Sequence, residues 1–253
     1  MPYHKLSTAK IAKAVGCHPN TVRLYEQWGF LPAVPRSPAG YRLYTEAHLD
    51  QMRLARMGLN TDWPGRRLRT SVVDLIKQAA LGDLGGALEL AYQHLALVNA
   101  VQAQAESAAK LLVRWAQGAP TDATVRQMRM VDTARLLGLT RDILRNWERS
   151  GLIAVPRDPA NGYRQYGQIQ VARLRVIRML RNAGYSTMAI LRMLIQLDEG
   201  TTQDLRQALN TPRADEDVFY ATDRWVSTLD DQEQRALKMI TLLEERISKE
   251  QCG

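Results

Sequence analysis

The chain has 253 residues, a formal net charge of +8, and 45% hydrophobic and 24% charged residues. This suits a folded protein with a sizeable core and excludes a disordered one, while two distant cysteines, Cys17 and Cys252, exclude a disulfide framework or a cysteine-rich zinc module. No apolar run approaches the ~20 residues of a membrane helix, and the opening Met-Pro-Tyr-His-Lys has no apolar signal region, so a cytoplasmic protein with no membrane partner is expected.

In chain order, a short helix over Thr8 to Val15 stops at Gly16, the usual helix-ending residue. A second, Asn20 to Trp28, starts at a polar cap around His18-Pro19-Asn20 and ends at Gly29. Helix, glycine turn and helix is the helix-turn-helix pattern, whose second helix enters the DNA major groove. The apolar run Phe30 to Val34 leads through Pro35-Arg36 and Gly40 into Tyr41-Arg42-Leu43-Tyr44, which reads as a hairpin wing. A basic helix follows over Glu46 to Leu59. A long helix, Leu81 to Gln117, carries an apolar stripe of Leu88, Ala91, Leu95, Val98, Ala105 and Leu112, too broad for a two-stranded coiled coil alone.

The same order then recurs. Ile11 to Arg56 realigns on Thr133 to Arg178, with Arg23-Leu24-Tyr25-Glu26 facing Arg145-Asn146-Trp147-Glu148 and Tyr41-Arg42 facing Tyr163-Arg164. Copy two predicts helices over Val131 to Leu137 and Arg141 to Ser150, the second capped by Thr140 with Asp142 in its first turn. A run Leu152 to Val155, a wing ending at Tyr166, a helix Gln168 to Asn182 and a short helix Met188 to Leu197 follow. Trp225 to Lys249 is a last amphipathic helix, with Leu229, Ala236, Ile240, Leu243 and Ile247 on one face. Net charge follows the repeat: +7 over residues 1–70, −1 over 71–120, +8 over 121–195 and −6 over 196–253. Paired basic blocks are the footprint of a polyanion binder.

The helix-turn-helix, Arg-x-Tyr/Trp-Glu, Pro-Arg and Gly-Tyr-Arg-x-Tyr together resemble the MerR family of transcriptional regulators. The likeness is closest in copy two, through Ile177-Arg178-Met179-Leu180-Arg181-Asn182-Ala183-Gly184-Tyr185-Ser186; copy one departs after Arg56, with Trp63-Pro64-Gly65-Arg66-Arg67 where the family has a Gly-aromatic-Ser turn. The fold expected is mainly α with small β-hairpin wings: two winged helix-turn-helix domains (1–70 and 122–197), a helical connector (71–121) and an acidic C-terminal helical or dimerisation segment (198–253). The resemblance implies a non-enzymatic DNA-binding regulator at the bacterial nucleoid. It would bind a pseudo-palindromic promoter, distort the DNA for RNA polymerase, and act as a homodimer or, with two heads in one chain, as a monomeric pseudo-dimer.

Asn20, Thr21 and Arg23, with Arg141, Asp142 and Arg145, are the expected recognition-helix contacts. Arg36, Tyr41, Arg42, Arg157, Tyr163 and Arg164 are the expected phosphate clamps. Tyr44 and Tyr166 join them on the return arms; Tyr25 and Trp147 are either contacts or core. Glu26 and Glu148 brace the fold by pairing with an arginine. No cofactor, metal or catalytic constellation is expected, since His4, His18, His48 and His94 have no ligand spacing. The aromatics outside the heads, Trp63, Tyr92, Trp115, Tyr185, Phe219, Tyr220 and Trp225, are either core anchors or a pocket for a cationic or planar small-molecule effector. The alternative function is sequestration of an antibiotic or dye, with the heads serving autoregulation.

Overall fold

The computed structural model describes residues 6–61, 66–116, 127–200, 205–210 and 225–251, except for the side chains of 109, 111–116, 205, 206, 210 and 225–227. The described residues form eleven helices: α1 (Thr8–Ala14), α2 (Pro19–Gln27), α3 (Glu46–Leu59), α4 (Arg66–Ala80), α5 (Leu84–Ala116), α6 (Met130–Leu137), α7 (Arg141–Arg149), α8 (Gln168–Asn182), α9 (Thr187–Asp198), α10 (Leu205–Asn210) and α11 (Trp225–Gln251). The mainly α expectation holds. The apolar runs Phe30 to Val34 and Leu152 to Val155 form no strand, because Pro32 and Pro35 in copy one and Pro156 in copy two remove backbone donors. Single antiparallel bridges stand in their place: Arg36 with Arg42 and Leu6 with Tyr44, then Arg157 with Arg164 and Met128 with Tyr166.

The chain divides into two compact units, residues 1–100 with 229–253, and residues 101–228. In the first unit Ile11, Val22, Leu49 and Met52 from α1–α3 share a core with Val72, Leu75 and Ile76 of α4, Ala87 and Ala91 of α5, and Met239, Ile240 and Leu243 of α11. Gly58 lets these helices close up: a Cβ there would lie 2.7 Å from Val72 Cγ1 and 3.3 Å from Met239 Sδ. A buried polar chain ties α11 in. Arg246 Nη1 donates to Gln51 Oε1 at 2.7 Å, and Gln51 Nε2 donates to the carbonyls of Phe30 and Ile76 at 3.1 and 2.9 Å. The second head solves the same problem locally, since Arg173, the repeat counterpart of Gln51, donates to the Leu152 carbonyl and pairs with Asp198 of α9.

The second unit buries Leu144 and Trp147 of α7, Val171, Leu174 and Ile177 of α8, and Ile190, Met193 and Leu194 of α9. Ala105 and Ala108, from the end of α5, are buried in this unit. The helix after the first head thus ends in the unit of the second, and the helix after the second head belongs to the unit of the first. Within α5 the buried line is Leu84, Ala87, Ala91, His94, Val98, Ala105 and Ala108. Leu88 and Leu95 of the expected stripe are only half-buried, so the buried line runs mostly along the smaller side chains of α5.

His94 has a consequence that can be measured. It is buried, with Nδ1 2.7 Å from Ser71 Oγ of α4, and burial lowers its pKa from 6.5 to about 4. The neutral ring is therefore the folded form. Its contribution is fully present above pH 6.5 and is lost as the pH falls towards 4. Urea unfolding at pH 5 should show roughly 2 kcal/mol less stability from this group than at pH 7.5. A His94→Gln variant with an equally large pH-dependent loss would refute the assignment.

Candidate nucleic-acid interface

Both recognition helices start on a side-chain cap, as the sequence implies. His18 Nδ1 accepts the Asn20 N–H at 3.2 Å ahead of Pro19, and Thr140 Oγ1 accepts the Ile143 N–H at 3.2 Å. The turns before them need the left-handed backbone that glycine supplies, with φ +64° at Gly16 and +59° at Gly138. On each helix one face is buried (Val22 and Tyr25; Leu144 and Trp147), while Asn20, Arg23, Arg141, Asp142 and Arg145 are exposed and Thr21 is half-buried. The exposed arginines are held in register: Arg23 Nη1 donates to Asn20 Oδ1 at 3.2 Å, and Arg145 Nη1 to Asp142 Oδ1 at 3.2 Å. The partners are repeat counterparts, so the two helices present the same framework with different charge.

In each copy the bridged turn after the Pro-Arg step is tied back onto the second helix of its helix-turn-helix. Arg42 Nε donates to Glu26 Oε2 at 2.5 Å, and Arg164 Nε to Glu148 Oε2 at 2.6 Å. This hydrogen bond with Glu148 pushes the Arg164 guanidinium above its usual range. Arg36 lies 3.5 Å from Glu26 Oε1, and Arg157 Nη1 donates to the Gly162 carbonyl at 3.3 Å. At the tips Tyr41 and Tyr163 are 74% and 62% exposed. In copy two the turn is built on Asp158, which accepts the Ala160 N–H and a Gln165 amide at 2.8 and 2.9 Å. Those donors, the Ala160 N–H first, hold its carboxyl below the usual range.

Not every expected contact faces outwards. Tyr44 and Tyr166 are 0% and 1% exposed, and Tyr25 and Trp147 are buried; all four lie inside the heads rather than on their surface. Burial pushes the Tyr44 and Tyr166 phenols up, so both stay neutral. Glu26 and Glu148 do brace the fold through arginine, as expected.

In the second head a groove is lined by Arg129, Arg141, Arg145, Arg157, Tyr163 and Arg164. Arg129 was not legible from the sequence. It is the N-cap residue of α6 and stacks over the Tyr163 ring at 5.5 Å. Its counterpart in the first head is Ser7, which caps α1 by accepting the Lys10 N–H at 3.3 Å, so the repeat gives no cue to a cation there.

A family model described as MerR HTH family regulatory protein matches residues 128–197, and one described as MerR family regulatory protein matches residues 7–44. A "probable heavy metal-dependent transcriptional regulator" of Haemophilus influenzae is 31% identical over 117 residues, 46% of this chain and 83% of that protein. The chain belongs to the MerR family of transcriptional regulators. It carries two MerR-type domains, and it is a DNA-binding regulator rather than an enzyme. The HTH-type transcriptional regulator CueR of Escherichia coli is 36% identical over 59 residues, 23% of this chain and 44% of its own length. The mercuric resistance operon regulatory protein of Bacillus cereus is 31% identical over 81 residues, 31% of this chain and 61% of its own length. The chain thus spans less than two thirds of these last two MerR relatives. No solved structure matches it.

Metals appear in the names of two of those relatives. Among the described residues of this MerR chain, no group of three or more His, Cys, Asp or Glu side chains is placed to hold one. Cys17 is half-buried, and burial pushes its thiol up against the opposing pull of Arg56; a thiol of that kind is a poor ligand. Of the aromatics expected to frame a pocket or anchor the core, the structure describes the side chains of Tyr92 and Tyr185. Tyr92 is exposed in the first unit and donates to Glu244 Oε1 at 2.9 Å, whereas Tyr185 is fully buried in the second. Trp63, Phe219 and Tyr220, the side chains of Trp115 and Trp225, and Cys252 lie outside the described residues. No helix among the described residues is long and apolar enough to cross a membrane.

Proposed function

We propose that this chain reads an imperfect inverted repeat in promoter DNA with two heads carried on one polypeptide. Both recognition helices enter the major groove, the bridged turns act as wings on the flanking phosphates, and the protein distorts the promoter for RNA polymerase in response to a small molecule. The carrying observation is the duplicated brace, Glu26 to Arg42 and Glu148 to Arg164, which fixes the wing against the recognition helix in each head. Asn20, Thr21 and Arg23 read one half-site; Arg141, Asp142 and Arg145 read the other. Arg36, Tyr41 and Arg42, with Arg157, Tyr163 and Arg164, hold the backbone.

The packing of α11 in the unit of the first head supports a pseudo-dimer within one chain. On this reading the chain consists of two heads (1–70, 122–197), a connector (71–121) and a C-terminal pairing segment (198–253). Selection of bound sequences from random duplexes should enrich two related but non-identical half-sites about one helical turn apart, and light scattering of the complex should give one chain per duplex. A perfectly symmetric motif bound by two chains would overturn the proposal.

A further inference from the structure

Within the second unit, α5, α6 and α8 enclose an open pocket of about 720 Å³ that the DNA-reading surface does not use. Its volume is that of a small-molecule site. Ala103, Ser107 and Ala108 of α5 keep one wall low, while Leu136 of α6 and Met179 of α8 supply apolar cover. Leu136 is 48% exposed, an apolar side chain facing an open cavity rather than packed. Into this lining α8 brings Arg178, with Arg175 one turn earlier. Arg178 is half-buried, and among the described residues it has neither a hydrogen-bond nor an ion-pair partner. Every other arginine of the second head that braces structure has one: Arg164 with Glu148, Arg173 with Asp198, Arg181 with the Tyr185 carbonyl.

A cation partly withdrawn from water without a counter-charge is costly, and an anion held by a bidentate guanidinium relieves that cost. We propose that this pocket binds a small amphipathic acid, its carboxylate, sulfonate or phosphate on Arg178 and its apolar body against Leu136, Met179 and the α5 alanines. The site deepens the effector part of the proposed function and stands apart from the aromatics considered for a cationic ligand. It touches DNA reading physically, because Leu136 and Leu137 belong to the first helix of the second helix-turn-helix.

The test uses the full chain and two fluorescent probes, the anionic anilinonaphthalene sulfonate and the neutral phenylnaphthylamine. The sulfonate should bind saturably, one per chain. Arg178→Gln should weaken it roughly tenfold, the loss expected for one charge-assisted contact, and leave the neutral probe unchanged. Ala103→Phe, on the exposed wall, should fill the pocket and block both probes; it decides the matter alone if Arg178→Gln does not fold. Absence of saturable sulfonate binding, or binding indifferent to Ala103→Phe, overturns the proposal. No operator is needed, so failure here leaves the DNA-reading proposal standing, and a failed sequence selection leaves the pocket standing.

Discussion

Leu243→Ala, in the helix that follows the second head, should destabilise the first head and leave the second intact. Leu243 is 0% exposed, in the same core as Val72, Leu75 and Ile76. Truncating a buried leucine to alanine costs about 2–5 kcal/mol through lost burial and the cavity left behind. The protein should therefore unfold in two steps, with the lower midpoint moved by the substitution and the upper one fixed. Hydrogen exchange read by segment should show residues 6–61 losing protection while residues 130–198 keep theirs. Arg246→Ala should act in the same direction by about 1–3 kcal/mol, because the Gln51 carbonyl oxygen would be left buried without its donor. Equal loss of protection in both heads would show that α11 does not belong selectively to the first.

The double substitution Arg42→Ala with Arg164→Ala should weaken binding to every duplex about equally. If each side chain also touches one phosphate, the slope of log affinity against log salt should flatten by roughly 0.9 per contact. Glu26→Gln with Glu148→Gln provides the control. It removes the partner that orients each guanidinium but keeps both positive charges, so affinity should fall less and the salt slope should stay. Identical losses with unchanged slopes in the two double variants would mean that these arginines act only by holding the wing.

The heads were legible because their signals are local. A polar cap, a left-handed glycine and a basic exposed face recur at fixed spacing, and the bounds of α3 and α8 follow from their apolar period alone. The acid–base brace was legible as a pairing of Glu26 and Glu148 with an arginine, and the structure supplies the partners, Arg42 and Arg164. The wing strands were over-read: alternation of Arg and Tyr marks the return arm, but prolines on the outgoing arm leave too few donors for a ladder.

Helix α4 was missed because copy one loses its family turn at Trp63 to Arg67, although Leu68, Val72, Leu75, Ile76 and Ala79 carry a helical period and are buried. Nor does any local pattern announce that Arg246 meets Gln51, since the partners stand 195 residues apart. Composition records the number of aromatics and not their location, so core anchors and a common wall stayed alternatives; Tyr185 is buried as a core residue and Tyr92 is exposed.

The duplicated heads carry a consequence for how such a regulator can change. In a symmetric dimer a single codon alters both reading helices together, so any new preference must suit both half-sites at once. Here Asn20 and Asp142 occupy equivalent places and already differ in charge. If each head reads its own half-site, as proposed, each half-site is free to drift while its own head follows, and promoters without inverted symmetry come within reach of one chain.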